Sequence, residues 1–177
     1  MNDINKLSRK LVFLFKFLMI LYPTMVILMW FGIINIPFGY TAFSRLPIPV
    51  DFHMLAINLR IKACMIQMIP TLLFTLIFYY LVQLFKQYEK NIIFGLKNTA
   101  LIRKIGYTLI AQAIAYFISQ PLLSLILTMD ALPGQHVFVL SLGSYEISNM
   151  FIGAVVILVS IIMAEGHKLE EEKALTI

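Results

Sequence analysis

Residues 11–31 read LVFLFKFLMILYPTMVILMWF, 21 residues with one charge, Lys16. A hydrocarbon core of about 30 Å needs about 20 apolar residues at about 1.5 Å of rise each. The run is therefore long enough to cross a bilayer alone. Lys16 sits near one end, where its aliphatic stem lets the ammonium reach the headgroups. A secretory signal has a shorter apolar core, about 7–15 residues, and ends in small residues. This run ends in Met29-Trp30-Phe31, which offers no cleavage site, so it reads as a retained helix.

Working outward, three more runs have the same character: residues 63–84, 105–127 and 147–164. The last is the shortest and begins with Ser148 and Asn149, but no charge falls within 150–164. Across 177 residues the chain is 60% hydrophobic and 13% charged, and its mean hydropathy is +0.88. Soluble domains hold about 45–50% apolar and about 25% charged residues. The expected fold class is an all-α membrane protein of four transmembrane helices, a single domain over 1–177. The outer loops are then 32–62 and 128–146, the inner loop is 85–104 and the tail is 165–177. The length leaves no room for a separate soluble enzyme.

The net charge of +5 and pI of about 9.4 follow from topology and call for no direct nucleic-acid contact. Lys6, Arg9, Lys10, Lys86, Lys90, Lys97, Arg103, Lys104, Lys168 and Lys173 fall on one side of the four spans; only Arg45, Arg60 and Lys62 fall on the other. Cytoplasmic loops collect Lys and Arg, which puts both termini in the cytoplasm. The single cysteine, Cys64, excludes an intrachain disulfide and reads as a buried, inert thiol.

The outer loops contain two runs that carry a strand signal, the strictly alternating 57–62 and the stretch 136–142, which has a β-branched and aromatic start. A small β-like cap built from both loops is one reading. Irregular loop, or a helical lead-in to the second span, is the other.

Inside the membrane, polar residues recur every four positions. The second span carries Gln67, Thr71, Thr75, Tyr79 and Gln83; the third carries Thr108, Gln112, Tyr116, Gln120 and Ser124, with Ala111, Ala115 and Ser119 beside them. Residues four apart form a ridge, and an unpaired amide in hydrocarbon costs several kcal/mol. The glutamines should therefore face protein or a wet cavity. The small residues allow close backbone approach. One reading is helix-packing glue and the other a polar permeation path; the lack of a charge in mid-span argues against ion or proton transport. Pro23, Pro70 and Pro121 each free a backbone carbonyl, which Thr71, Ser119 or Gln120 can take up.

No Gly-rich phosphate loop, CxxC pair, HExxH or Ser-His-Asp set is present. His53 and His136 fall in the outer loops with Asp51, Asp130 and Glu146, at spacings that require no metal. No enzyme activity, cofactor or metal is expected. The tail pairs Glu165 with Lys168 and Glu170 with Lys173 at i,i+3.

Two stretches carry a family resemblance. Residues 84–107 fit the pattern YxxGxxFSxxNxxxIRxIG, with Asn91 and Gly95 where glycine and serine are usual, and the tail, ending in Leu175-Thr176-Ile177, resembles EG..L..E...LT(V/I) with one residue fewer before Leu175. Both resemble a bacterial integral-membrane family known as domain of unknown function 2975. The resemblance implies a bacterial inner-membrane protein of four spans with no catalytic role. It also implies a pairing with a small helix-turn-helix regulator, which such proteins often adjoin.

The leading expectation is a membrane-bound regulatory or sensing partner of a small cytoplasmic DNA-binding protein. Its docking surface would comprise Lys86, Lys90, Phe94, Lys97, Arg103 and Lys104 of the inner loop with Glu165, Glu170, Glu171 and Glu172 of the tail. The alternative is a small-molecule transporter or channel subunit using the polar ridges. The other partner expected is the lipid bilayer, with a homo-oligomer left open.

Overall fold

The computed structural model describes residues 2–33, 55–90, 92, 95–129, 136–140 and 142–175, the side chains of 2–4 and 169–175 excepted. Within them the chain forms α1 (Asn2–Trp30), α2 (Ile57–Glu89), α3 (Leu96–Leu127) and α4 (Ser144–Leu175), with no strand. All four helices are long and apolar enough to cross a membrane. The protein is an all-α membrane protein of four spans.

The helices outrun their apolar stretches, because a helix satisfies its own backbone groups in lipid and at its margin. The connection between α2 and α3 shrinks from the expected 85–104 to 90–95. Lys86, Lys97, Arg103 and Lys104 are helix residues, not loop residues.

The alternation at 57–62, one of the two runs behind the β-like cap, is instead the opening of α2. Six residues fit either period, and burial decides. Leu59, Ala63, Gln67 and Thr71 form a buried row at four-residue spacing, while Ile57 and Ile61 are exposed. The second run has no regular structure over 136–140. The Val137 and Val139 backbone N–H groups donate to the hydroxyls of Thr128 (3.2 Å) and Ser124 (3.0 Å). This segment therefore ties down the end of α3 and has no strand partner among the described residues. The remainder of the outer loops, 34–54, 130–135 and 141, lies outside the described residues.

Packing follows chain order. α1 packs on α2, α2 on α3 and α3 on α4, and no Cα of α4 comes within 8 Å of α1 or α2. An aromatic seam joins the first pair: Phe15 stacks on Phe78 and Phe85, and Tyr22 meets Phe74 at 4.9 Å. One buried cluster centres on Ala63, whose small side chain lets Val26, Met29 and Trp30 of α1 gather with Leu123 and Leu127 of α3. Cys64 is half-buried against it. A second cluster joins Ile77 and Leu84 of α2 to Leu101 and Ile105 of α3. Phe13 and Ile20 of α1 and Phe151 and Ile162 of α4 point outward, as side chains solvated by lipid do.

Candidate functional site

The polar ridge of α3 is buried along most of its length: Thr108, Gln112, Tyr116 and Ser124 are all inside, and Gln120 is half-buried. On α2, Gln67 and Thr71 are inside, Thr75 and Gln83 are half-buried, and Tyr79 is exposed. Much of the hydroxyl chemistry stays within one helix. Thr71 donates to the Gln67 carbonyl, Thr75 to Thr71, Thr108 to Lys104 and Ser119 to Ala115, each four residues back. The carbonyls freed by Pro70 and Pro121 belong to Ile66 and Phe117, one turn before each proline. Thr71 and Ser119 bond their neighbours instead.

The two glutamines at the heart of the ridges differ. Gln112 accepts from Asn149 Nδ2 at 3.1 Å and donates to the Tyr145 hydroxyl at 3.3 Å. Tyr145 also meets Tyr116 edge-on at 5.9 Å. This amide therefore binds α3 to α4, not α3 to α2. Gln67 is fully buried, and neither its Nε2 nor its Oε1 has a hydrogen-bond partner among the described residues.

One close helix crossing was not marked in the sequence. A Cβ at Gly106 would lie 2.8 Å from the Gly153 carbonyl oxygen and 2.6 Å from Ile157 Cγ1. A Cβ at Gly153 would lie 2.8 Å from the Gly106 carbonyl oxygen. The two backbones touch because neither residue has a side chain. The small row at Ala111, Ala115 and Ser119 does not serve this purpose, since Ala111 faces outward. Polar contacts bracket the crossing: Gln112 with Asn149 and Tyr145 on one side, and Arg103 Nε with the Ser160 hydroxyl at 3.3 Å on the other. At the start of α4, Glu146 accepts from the Gly143 N–H at 2.9 Å, the carboxylate half of a capping box.

The end of the bundle that carries both termini holds most of the charge. Asn98, fully buried, donates from Nδ2 to the Ile92 carbonyl at 2.7 Å and so pins the α2–α3 turn. Lys86, Lys90 and Lys97 line a cavity of about 440 Å³ with Gln83, Gln87 and Glu89. Arg9 of α1 pairs with Glu89 at 3.3 Å. Lys104 lies over the Tyr80 ring, 5.8 Å from its centre. Glu165 pairs with Lys168 in its own helix at 3.0 Å. Of the predicted docking residues, Lys86, Lys90 and Lys97 are thus brought together, while Arg103 is turned into the α3–α4 interface. Phe94 and the side chains of Glu170, Glu171 and Glu172 lie outside the described residues. Among the described residues no three His, Cys, Asp or Glu side chains converge as metal ligands do.

The model of the family described as protein of unknown function (DUF2975) matches residues 21–177. The chain belongs to this family. No curated protein and no solved structure matches it. The fold gives the DUF2975-like pattern of residues 88–106 a physical reading. Asn98 holds the turn, Arg103 reaches across to α4, and Gly106 makes the close crossing.

Proposed function

We propose that this DUF2975 protein is a membrane-bound regulatory partner of a small cytoplasmic DNA-binding protein. It would sit in the bacterial cytoplasmic membrane with both termini inside and perform no chemistry of its own. The observation that carries the reading is the form of α4. Its apolar stretch ends at Ala164, yet the helix continues to Leu175, about 16 Å further at the α-helical rise. It leaves the bundle at the same end as Lys86, Lys90 and Lys97. A charged helical extension and a basic face at one end of the bundle supply two surfaces of opposite sign, and charge complementarity governs encounter and register more than affinity. The orientation rests on the excess of Lys and Arg at that end.

The test is co-purification in detergent with a helix-turn-helix protein encoded beside this chain. The full chain should retain it, and a chain carrying Phe94→Ala and ending after Ala164 should lose it. Equal retention by both, or by neither, removes the proposal. The buried, unpartnered amide of Gln67 favours the second reading, a small-molecule transporter or channel subunit. That reading predicts that Gln67→Leu abolishes uptake of a polar solute into cells expressing the protein.

A further inference from the structure

The cavity at the termini-bearing end is where charge, depth and helix polarity coincide. Three lysines, 86, 90 and 97, line it together with the amides of Gln83 and Gln87. All three lysines are exposed, so their ammonium groups are free to turn inward. The one acid in the wall, Glu89, is engaged by Arg9 Nε at 3.3 Å, and among the described residues no carboxylate pairs with the three lysines. Its volume, about 440 Å³, lies within the range of ligand sites, about 300–1,000 Å³.

Lys97 sits in the first turn of α3, which contains no acidic residue and no side-chain cap. The positive end of a helix dipole favours an anion there, so a lysine in that turn is at a local disadvantage that an anion between Lys97 and Lys86 would reverse. Depth narrows the choice of anion. Gln83 lies at the end of the apolar run, and Lys90 lies seven residues on, about 10 Å along the axis. The headgroup layer is about 5–8 Å thick on each side of the hydrocarbon. The cavity therefore spans the level of lipid phosphates. Ile92 and Leu96, exposed beside it, and Tyr79, exposed one turn below Gln83, provide apolar and aromatic surface for the acyl end of such a lipid.

We infer that this cavity binds the phosphate of an anionic phospholipid headgroup, held by Lys86, Lys90 and Lys97. Arg9 is a positioning residue that keeps Glu89 from repelling it. The inference needs no protein partner and stands apart from the docking reading.

Native mass spectrometry of the full chain in detergent tests it. Phosphatidylglycerol, phosphatidylcholine and inorganic phosphate are titrated in separate arms. Phosphatidylglycerol should bind about tenfold or more tightly than phosphatidylcholine, and Lys86→Gln, Lys90→Gln or Lys97→Gln should each weaken it about fivefold. Glu89→Gln should tighten binding. Arg9→Gln, outside the cavity wall, should weaken it. Lys6→Gln with Lys10→Gln, on the same end but outside the cavity, should change it less than about twofold. Equal affinity for the two lipids overturns the inference, as does an equal loss in the Lys6 and Lys10 variant. Inorganic phosphate binding as tightly as phosphatidylglycerol would show a soluble-anion site and overturn the lipid assignment. All substituted side chains but the half-buried Glu89 are exposed charges, and unchanged helical circular dichroism in each variant confirms that binding, not folding, is read.

Discussion

Gln112 and Gln67 are chemically identical, equally buried, and placed on matching ridges of neighbouring helices, yet they should respond oppositely to the same substitution. Gln112→Leu removes the hydrogen bonds that Gln112 makes with Asn149 Nδ2 and with the Tyr145 hydroxyl. Interhelical hydrogen bonds in bilayers average about 0.6 kcal/mol and reach about 1.7 kcal/mol, so the loss should be about 1–2 kcal/mol. Gln67→Leu removes an amide that has no partner to lose among the described residues. Since an unsatisfied buried group costs about 1–3 kcal/mol, the variant should be at least as stable as the parent. Unfolding in mixed micelles by a denaturing detergent measures both. A Gln67→Leu loss as large as that of Gln112→Leu would show that Gln67 has a partner in the bilayer. The four-residue spacing identified both residues as interior. It did not identify their partners, because Tyr145 and Asn149 lie more than thirty positions along the chain and nothing in a one-dimensional period links them.

Helix by helix, the apolar runs located all four spans, since nothing but length and hydropathy is needed for that. What escaped were the ends and the crossings. The run 57–62 carries an alternating pattern that a helix can bury on one edge as readily as a sheet can on one face, and the choice was made by Ala63 and Gln67 downstream. The α3–α4 crossing depends on two lone glycines, Gly106 and Gly153, in different helices. Neither belongs to a spaced small-residue motif within its own helix, so each looks like incidental punctuation until both are seen back to back. Gly106→Ala puts a methyl group within 2.8 Å of the Gly153 carbonyl, a backbone atom that cannot swing aside. Overpacking of this kind costs about 1–3 kcal/mol, and unfolding in mixed micelles should show that loss. Gly166→Ala, on the same helix as Gly153 and with open space around it, should cost nothing and is the matched control.

For the molecule as a whole, orientation is the first property to establish. Reporter fusions after Ile177 and within 90–95 should report the cytoplasm, and one near Thr41 should report the far side. A far-side signal from Ile177 would contradict the arrangement of charge from which the orientation was drawn.

The serial packing of the helices also has a bearing on how the protein is made. Each helix touches closely only those next to it in the chain. The close contacts thus link consecutive helices, even where the paired residues lie far apart in the chain, as Arg9 and Glu89 do. A nascent chain can dock α1 on α2 as soon as both have entered the membrane, add α3 to that hairpin, and clasp α4 last at the glycine crossing. No helix has to wait, unpartnered in lipid, for a distant one still to be synthesised. A chain interrupted after α2 would hold a complete aromatic seam, so the α1–α2 hairpin should survive in a fragment that ends before α3 begins.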